Sequence, residues 1–528
     1  MKIKQLLMLM LMVGIAFSLS AQDASFYKKY ADKGDKEAMY NLAECYINGT
    51  GGVQQDMSQA SYWLTKSAKK NYAPAQVKLA YCYIYGAGVL KDYKQAWDLA
   101  QKAMKQEDPE AHYLVASMYK DGVYVPKSMA QWEIYVRSAA RLGYADAQTD
   151  IGIAYMYGLT DANIPQDANA APSWLKLAAE QKNTRAAFYL GVCYTYGIGV
   201  QKDEEKAIGY YYEAANGGNP QAQYEVALAY LKGDHVDVNI SEAQKYLNAA
   251  IEQEEPRAYK LQGDIYYYGI GVDEDHEKAA EWYKKASDTG NTEASSALAN
   301  MYINGIGVAR NESKGYQLYK QAADADIPAG LAGLGLCYEN GYGVAKSPYQ
   351  ATLWYKKAAD LGNSFAQFRL YSMYREGEGV TKNNTDALKY LRMAADNAYN
   401  PALHSMAYEY SQGEILHQEN SKALEYLQKA ADNGNYYSMG TLGLLYYDGD
   451  FIVSKDYDKA FSYLSEAVRQ PQEFDESMLS TIYRDLAACY RFGRGTTVDY
   501  GMASYFTEKA AELGDNNAIE AVKALRNF

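Results

Sequence analysis

Apolar and polar positions alternate along this chain on two scales. Within stretches of about a dozen residues, alanines, leucines and aromatics recur at spacings of three and four, the mark of an amphipathic helix. Over longer distances the same stretches return. One tyrosine recurs at Tyr46, Tyr83, Tyr119, Tyr155, Tyr194, Tyr230, Tyr266, Tyr302, Tyr338, Tyr374, Tyr410, Tyr446 and Tyr490, in steps of 37, 36, 36, 39, seven of 36, and 44. A glycine stands three residues after each of them, thirteen times in thirteen. The repeat unit is therefore 36 residues, and its commonest turn reads Y-x-x-G-x-G-V, as at 194–200, 266–272 and 302–308.

Each unit predicts two helices. Counting from the anchor tyrosine, position −8 is alanine in ten of thirteen copies, with Gly330, Ser438 and Ile482 the exceptions. Position −4 is mostly Leu, Val, Ile or Met, and −3 is Gly or Ala everywhere except Tyr371. At about 100° per residue, −8, −4, −3, −1 and 0 share one face, and its small residues let backbones approach closely. This is helix A, and the first glycine of the turn ends it in a left-handed conformation. Helix B opens on a short polar residue at Asp56, Asp92, Ser128, Asp203, Asp275, Asn311, Ser347 and Asn383, whose oxygen accepts from the first free amides. Its body alternates alanine and an aromatic, as in Ala279, Trp282, Ala286 and again in Ala351, Trp354, Ala358. Gly143, Gly290, Gly362, Gly434 and Gly514 close it.

No such unit buries its apolar face alone, so neighbours complete one continuous core. A length of 528 residues suggests three or four domains by ordinary proportion; the repeat replaces that expectation with one all-α solenoid over 35–514. Capping half-repeats are expected at 22–34 and 515–528. Two insertions, 159–168 within a turn and roughly 469–480 before the last unit, are expected to be absorbed in loops.

Three features together carry a family resemblance. They are the LGxxY signature (Leu190-Gly191 to Tyr194, Leu334-Gly335 to Tyr338, Leu442-Gly443 to Tyr446), the paired-glycine turn, and the A-x-x-W-Y-x-K-A-A helix. The chain resembles the Sel1-like repeats, relatives of tetratricopeptide repeats, from about Asp23 to its end. The resemblance implies a right-handed α-α superhelix of about 13 two-helix repeats that acts as an adaptor, holding proteins on its concave surface. It implies no catalysis. Units three, four, six, eleven and twelve depart from the turn pattern at Val123-Tyr124, Leu159-Thr160, Asp234-His235, Glu414-Ile415 and Asp450-Phe451, departures that touch loops and not helices.

At the N-terminus, Lys2 and Lys4 precede an apolar run from Leu6 to Phe17 and the small residues Ser18, Ser20 and Ala21. This reads as a secretory signal over 1–21, too short to span a membrane, which takes about 20 residues. The expectation is an exported, soluble protein, periplasmic or secreted, with no membrane insertion. A net charge of −13 argues against nucleic acid as a partner.

Little else points to chemistry. All five cysteines (Cys45, Cys82, Cys193, Cys337, Cys489) occupy position −1 and read as free core thiols. The resemblance includes a secreted branch that pairs cysteines between the two helices of a unit, and no unit here has two. The five histidines are scattered without metal spacing and read as surface residues. Asp273 to Glu277 lacks the glycine and distal glutamate of a calcium loop, and the G-x-G pairs are turns. No enzyme, metal or cofactor is expected, and a monomer is the expected state.

What remains is the face of helix A at −5, −2 and +2, which the resemblance turns toward the groove. Its candidate protein- or peptide-binding residues are Lys78, Tyr81, Tyr85, Asp121, Tyr157, Tyr189, Tyr196, Lys232, Tyr268, Asn304, Asn340, Arg369 and Tyr408; Leu114 and Leu261 lie on the same stripe. Tyrosine joins a flat apolar ring to a hydroxyl at low entropic cost, which suits peptide recognition. The competing reading is sideways packing between units. The leading function is an exported scaffold binding a protein or extended peptide; the alternative is a glycan-binding surface protein whose tyrosines stack on sugar rings.

Overall fold

The computed structural model describes residues 23–449 and 453–526, so the expected signal at 1–21 lies outside the described residues. Among those residues, 28 α-helices follow one another, and the one β-pairing is an isolated bridge between Leu159 and Ile164. The chain forms two compact units that divide between residues 258 and 259. Within each, helices A and B alternate, and most B helices pack against the A helix before and the A helix after. Short helices also occupy the two expected capping segments, at Ala24–Ala31 and Asn516–Arg526.

Alanine at −8 packs as the pattern requires: Ala75, Ala111, Ala147, Ala186, Ala222, Ala294, Ala366 and Ala402 are fully buried. Glycine at −3 has a specific reason. A Cβ on Gly191 would lie 2.6 Å from the Tyr211 ring of helix B, and one on Gly335 would lie 2.5 Å from the Tyr355 ring. The anchor tyrosine behaves differently from the expectation that it joins the core. It is half-buried at the edge of that face and stacks on an aromatic of its own helix B: Tyr119 on Tyr135 at 5.6 Å, Tyr194 on Tyr210 at 5.7 Å, Tyr374 on Tyr390 at 5.8 Å. Such pairs add to the stability from area burial alone.

The turn closes in a fixed way. All eight expected caps accept from amides of the first turn of helix B. The cap's own amide then donates back to the anchor carbonyl, 3.0 Å from Asp203 to Tyr194 and 2.9 Å from Asp275 to Tyr266. The second glycine joins one unit to the last. At Gly343 φ is +66°, and a Cβ there would lie 2.5 Å from the carbonyl oxygen of Glu312, the first residue of the preceding helix B. In the irregular turns Tyr124 and His235 take positive φ, 66° and 58°, so these two loops keep a left-handed residue without glycine. Residues 450–452, in the twelfth turn, lie outside the described residues.

The insertions part ways. Residues 159–168 form a loop with a short 3₁₀ turn at Thr160–Ala162, and its Ala162 and Ile164 enter the core. The segment before the last unit is only partly loop, which corrects the expectation. Asp475 caps a longer helix A, Glu476–Phe492, so residues 476–480 are helical. Leu479 and Ile482 are buried, and that extra turn of apolar burial extends the helix.

A bridge that the periodicity did not reveal recurs in the four repeats with glutamine at −7. Gln at −7 donates to a carbonyl at the end of the preceding helix B, as Gln148 does to Ala140 (3.2 Å) and Gln367 to Ala359 (3.2 Å). Its own oxygen accepts from an amide side chain after the next helix B, Gln181 or Asn397. Buried backbone acceptors are costly unless satisfied, and these glutamines satisfy them across units.

Candidate binding face of the A helices

The stripe at −5, −2 and +2 divides once side chains are seen. Position +2 is open apart from Tyr85: Tyr157 is 61 % exposed, Tyr196 74 % and Tyr268 65 %, and Asp121, Lys232, Asn304 and Asn340 are exposed too. Tyr408 is exposed beneath the Arg375 guanidinium, 5.7 Å from its ring. By contrast Tyr81, Tyr85 and Tyr189 are half-buried. Tyr81 stacks on Tyr85 at 6.4 Å with the planes within 6°. Burial, reinforced by Glu110, pushes the Tyr81 hydroxyl far above its usual range. Leu114 and Leu261 are buried, because an aliphatic at −5 turns into the packing between successive A helices.

Two candidate cations are already engaged. Lys78 lies 3.5 Å from Glu44 of the preceding A helix. Arg369 is ion-paired with Glu339, whose carboxylate also accepts from Tyr355 at 2.6 Å. In the first unit the tyrosines gather into neighbours: Tyr157 with Tyr189 and Tyr196, whose nearness raises its hydroxyl after the larger effect of burial. In the second unit the candidates Tyr268, Asn304, Asn340, Arg369 and Tyr408 belong to separate repeats. Asn304 and Asn340 turn their side-chain amides back onto their own helices.

Position −9 belongs to the same stripe and was absent from the candidates. Four residues before −5, it falls within about 40° of that position on a helix. It holds Glu110, Asp146, Arg185 and Arg257, and its role is to meet position −5 of the preceding A helix. Arg185 is ion-paired with Asp150, which also accepts from Tyr113 at 2.9 Å. Arg257 lies 2.7 Å from Glu225, with its guanidinium 4.3 Å from the Tyr224 ring. Charged, hydrogen-bonded bridges thus tie some A helices to their neighbours.

Other polar groups are built in rather than offered. Glu409 is fully buried, accepting from Tyr371 at 2.7 Å and lying 3.3 Å from Arg375. The five cysteines are free and buried, and burial pushes the Cys82 thiol up to about 12. Two histidines depart from the surface expectation. Burial lowers both His112 and His404, and His404 bonds to Ser438 at 3.1 Å while packing edge-on to Tyr437. A surface depression of about 500 Å³ is lined by Asn384, Thr385, Leu388, Lys389, Arg392 and Ile415. No group of three or more potential metal ligands occurs among the described residues, and no helix among them is long and apolar enough to cross a membrane.

Comparison with known proteins gives a consistent picture. The Sel1 repeat family matches at 36–72, 73–108, 109–144, 145–183, 184–219, 220–254, 258–291, 292–327, 328–363, 364–399, 400–435, 436–471 and 483–515. The crystal structure of c5321, a protective antigen present in uropathogenic Escherichia coli strains and displaying an SLR fold, is 25% identical. It aligns with a TM-score of 0.57, covering 89% of this chain and 97% of that one. The Sel1-repeat-containing protein YjcO of Escherichia coli K12 is 27% identical over 209 residues, 38% of this chain and 87% of YjcO. Chitin synthase regulatory factor 3 of Schizosaccharomyces pombe is 28% identical over 199 residues, 36% of this chain; the match spans only 21% of that factor.

Proposed function

Because this chain belongs to the Sel1 repeat family, whose members are generally non-catalytic protein-interaction scaffolds, we propose that it is an exported, soluble adaptor that holds a protein or extended peptide along its A helices. The observation that carries this reading is the exposure of Tyr157 and Tyr196, 61 % and 74 %. Packing accounts for Tyr81, Tyr85 and Tyr189, which are half-buried; it does not account for two neighbouring rings left largely in water. Exposed aromatics clustered this way are the usual anchors of protein recognition. The export part rests on residues 1–21 alone. The glycan alternative draws no support from the family or its solved relatives.

The adaptor reading is tested by capture from envelope extract, comparing the native chain with a variant carrying Tyr157→Ser and Tyr196→Ser. A discrete protein retained by the native chain and lost from the variant, at unchanged melting temperature, supports it. Equal retention by both removes these tyrosines from the site. For export, the exported protein should begin near residue 21 or 22; an intact N-terminus would refute the signal.

A further inference from the structure

Resting on the adaptor reading, we propose that the depression beside the turn of unit eleven binds an acidic side chain of the partner together with an aliphatic neighbour in the same segment. The depression owes its existence to a break in the repeat. In regular turns the second glycine lies against the first residue of the preceding helix B. A Cβ on Gly307 would meet the carbonyl oxygen of His276 at 2.2 Å, and one on Gly379 would meet that of Pro348 at 2.3 Å. Unit eleven has Ile415 at this position. A branched side chain cannot come so close, and Ile415, unlike Tyr124 and His235, does not take the positive φ of the glycines.

The rest of the turn differs as well. The amide after the closing glycine elsewhere donates back to helix A, 3.0 Å from Tyr342 to Cys337 and 3.1 Å from Glu378 to Met373. Among the described residues Glu414 makes no such bond to Glu409, and its carboxylate pairs instead with Arg375 at 2.7 Å. The turn thus stands away from the preceding helix B, Asn384–Asp396, and leaves a space of about 500 Å³ between Ile415 and that helix. Ordinary ligand sites span roughly 300–1,000 Å³.

The lining selects the occupant. Thr385, Leu388, Lys389 and Arg392 recur at helical spacing and form one stripe opposite Ile415. Two cations and no carboxylate line the space, in a chain where 65 acids outnumber 52 bases. Asp386, the acid of that first turn, already accepts from Asn383 at 2.7 Å. Lys389 lies 5.1 Å from the centre of the Tyr390 ring, and neither cation has an ion pair or hydrogen bond among the described residues. A guanidinium takes a carboxylate through two parallel hydrogen bonds, and Leu388 and Ile415 offer apolar surface to the residue beside it.

The test is selection of a random linear dodecapeptide display library on the full chain, then fluorescence anisotropy of the recovered peptides against the parent and two variants. The proposal expects a peptide family with aspartate or glutamate next to an aliphatic residue. Replacing that acid by its amide should weaken binding about tenfold. Arg392→Gln should do the same, and the two changes together should cost little more than either. Ile415→Gly keeps both cations but gives the turn the glycine, glutamate, glycine order of Gly377, Glu378 and Gly379. It should close the depression and weaken the same peptides by a similar factor, at unchanged helix content by circular dichroism. Acidic peptides that bind Ile415→Gly as well as the parent would show that surface charge alone holds them and would overturn the proposal. Peptides indifferent to Arg392→Gln, or no acidic family at all, would overturn it equally. The adaptor reading stands or falls separately, on capture from extract through Tyr157 and Tyr196.

Discussion

At the scale of the residue, close packing makes single atoms matter. Gly191→Ala would place a methyl 2.6 Å from the Tyr211 ring, and overpacking of this kind costs about 1–3 kcal/mol. Two units with alanine at −3 carry leucine where Tyr211 stands, Ala227 with Leu247 and Ala407 with Leu427. Adding Tyr211→Leu to Gly191→Ala should therefore recover most of the lost thermal stability, a coupling readable in a double-mutant cycle of melting curves. The preference for a small residue at −3 was legible in the periodicity, but the ring that demands it was not, because the partner lies on another helix.

Asp485 gives a second test at this scale. Its side chain is 5% exposed, it accepts from Arg484 at 3.1 Å, and burial pushes its carboxyl up from 3.8 to about 6 against the pull of Arg484. A carboxyl raised by folding binds more protons in the folded state than in the unfolded one. Stability should then fall as pH rises from about 4 to 6, with the full deficit above 6, on the order of 3 kcal/mol. Asp485→Asn is expected to raise the melting temperature at pH 7 and to change it little at pH 4. A stabilisation of equal size at both pH values would remove the titration as its cause.

At the scale of the element, the two glycine types are not equivalent. Gly362 closes a helix B at φ +85°, and a Cβ there would have open space to 4 Å, whereas one on Gly343 would meet the Glu312 carbonyl at 2.5 Å. Gly362→Ala should cost about 1 kcal/mol from the left-handed backbone alone, and Gly343→Ala distinctly more, since backbone cannot move aside. Melting curves of the two variants check the order. Non-glycine residues already serve at the closing position, as Asn71, Lys182 and Ala398 do at φ 55°, 66° and 54°. The helices, their caps and both glycine positions were readable from sequence. The extra turn at 476–480 was not, because an insertion interrupts the count and only its burial makes it helical.

At the scale of the whole molecule, a repeat array distributes stability among units and the contacts between neighbours. A lesion should therefore stay local. In Gly343→Ala, hydrogen exchange should accelerate in the helices on either side of the disturbed contact, Glu312–Ala323 and Pro328–Asn340, while amides of the helices up to Lys232 keep the parent's protection. Uniform acceleration along the chain would show instead that the array unfolds as one cooperative body.

The sequence by itself determined the repeat, the two helices of each unit, the caps, the turns and the identity of the family. A recurring amphipathic pair can bury its apolar face only against copies of itself, and that condition is written in spacing along one chain. The division of the candidate face into open tyrosines, half-buried tyrosines and engaged cations was decided only by the tertiary structure. Whether Lys78 meets Glu44 or Glu110, and whether Arg185 reaches Asp150, depends on the distance and offset between successive A helices. Helical periodicity gives the angle of a side chain about its own axis; the separation between axes is set by packing, through the small residues at −8 and −3 and the glycines that let the turns lie close.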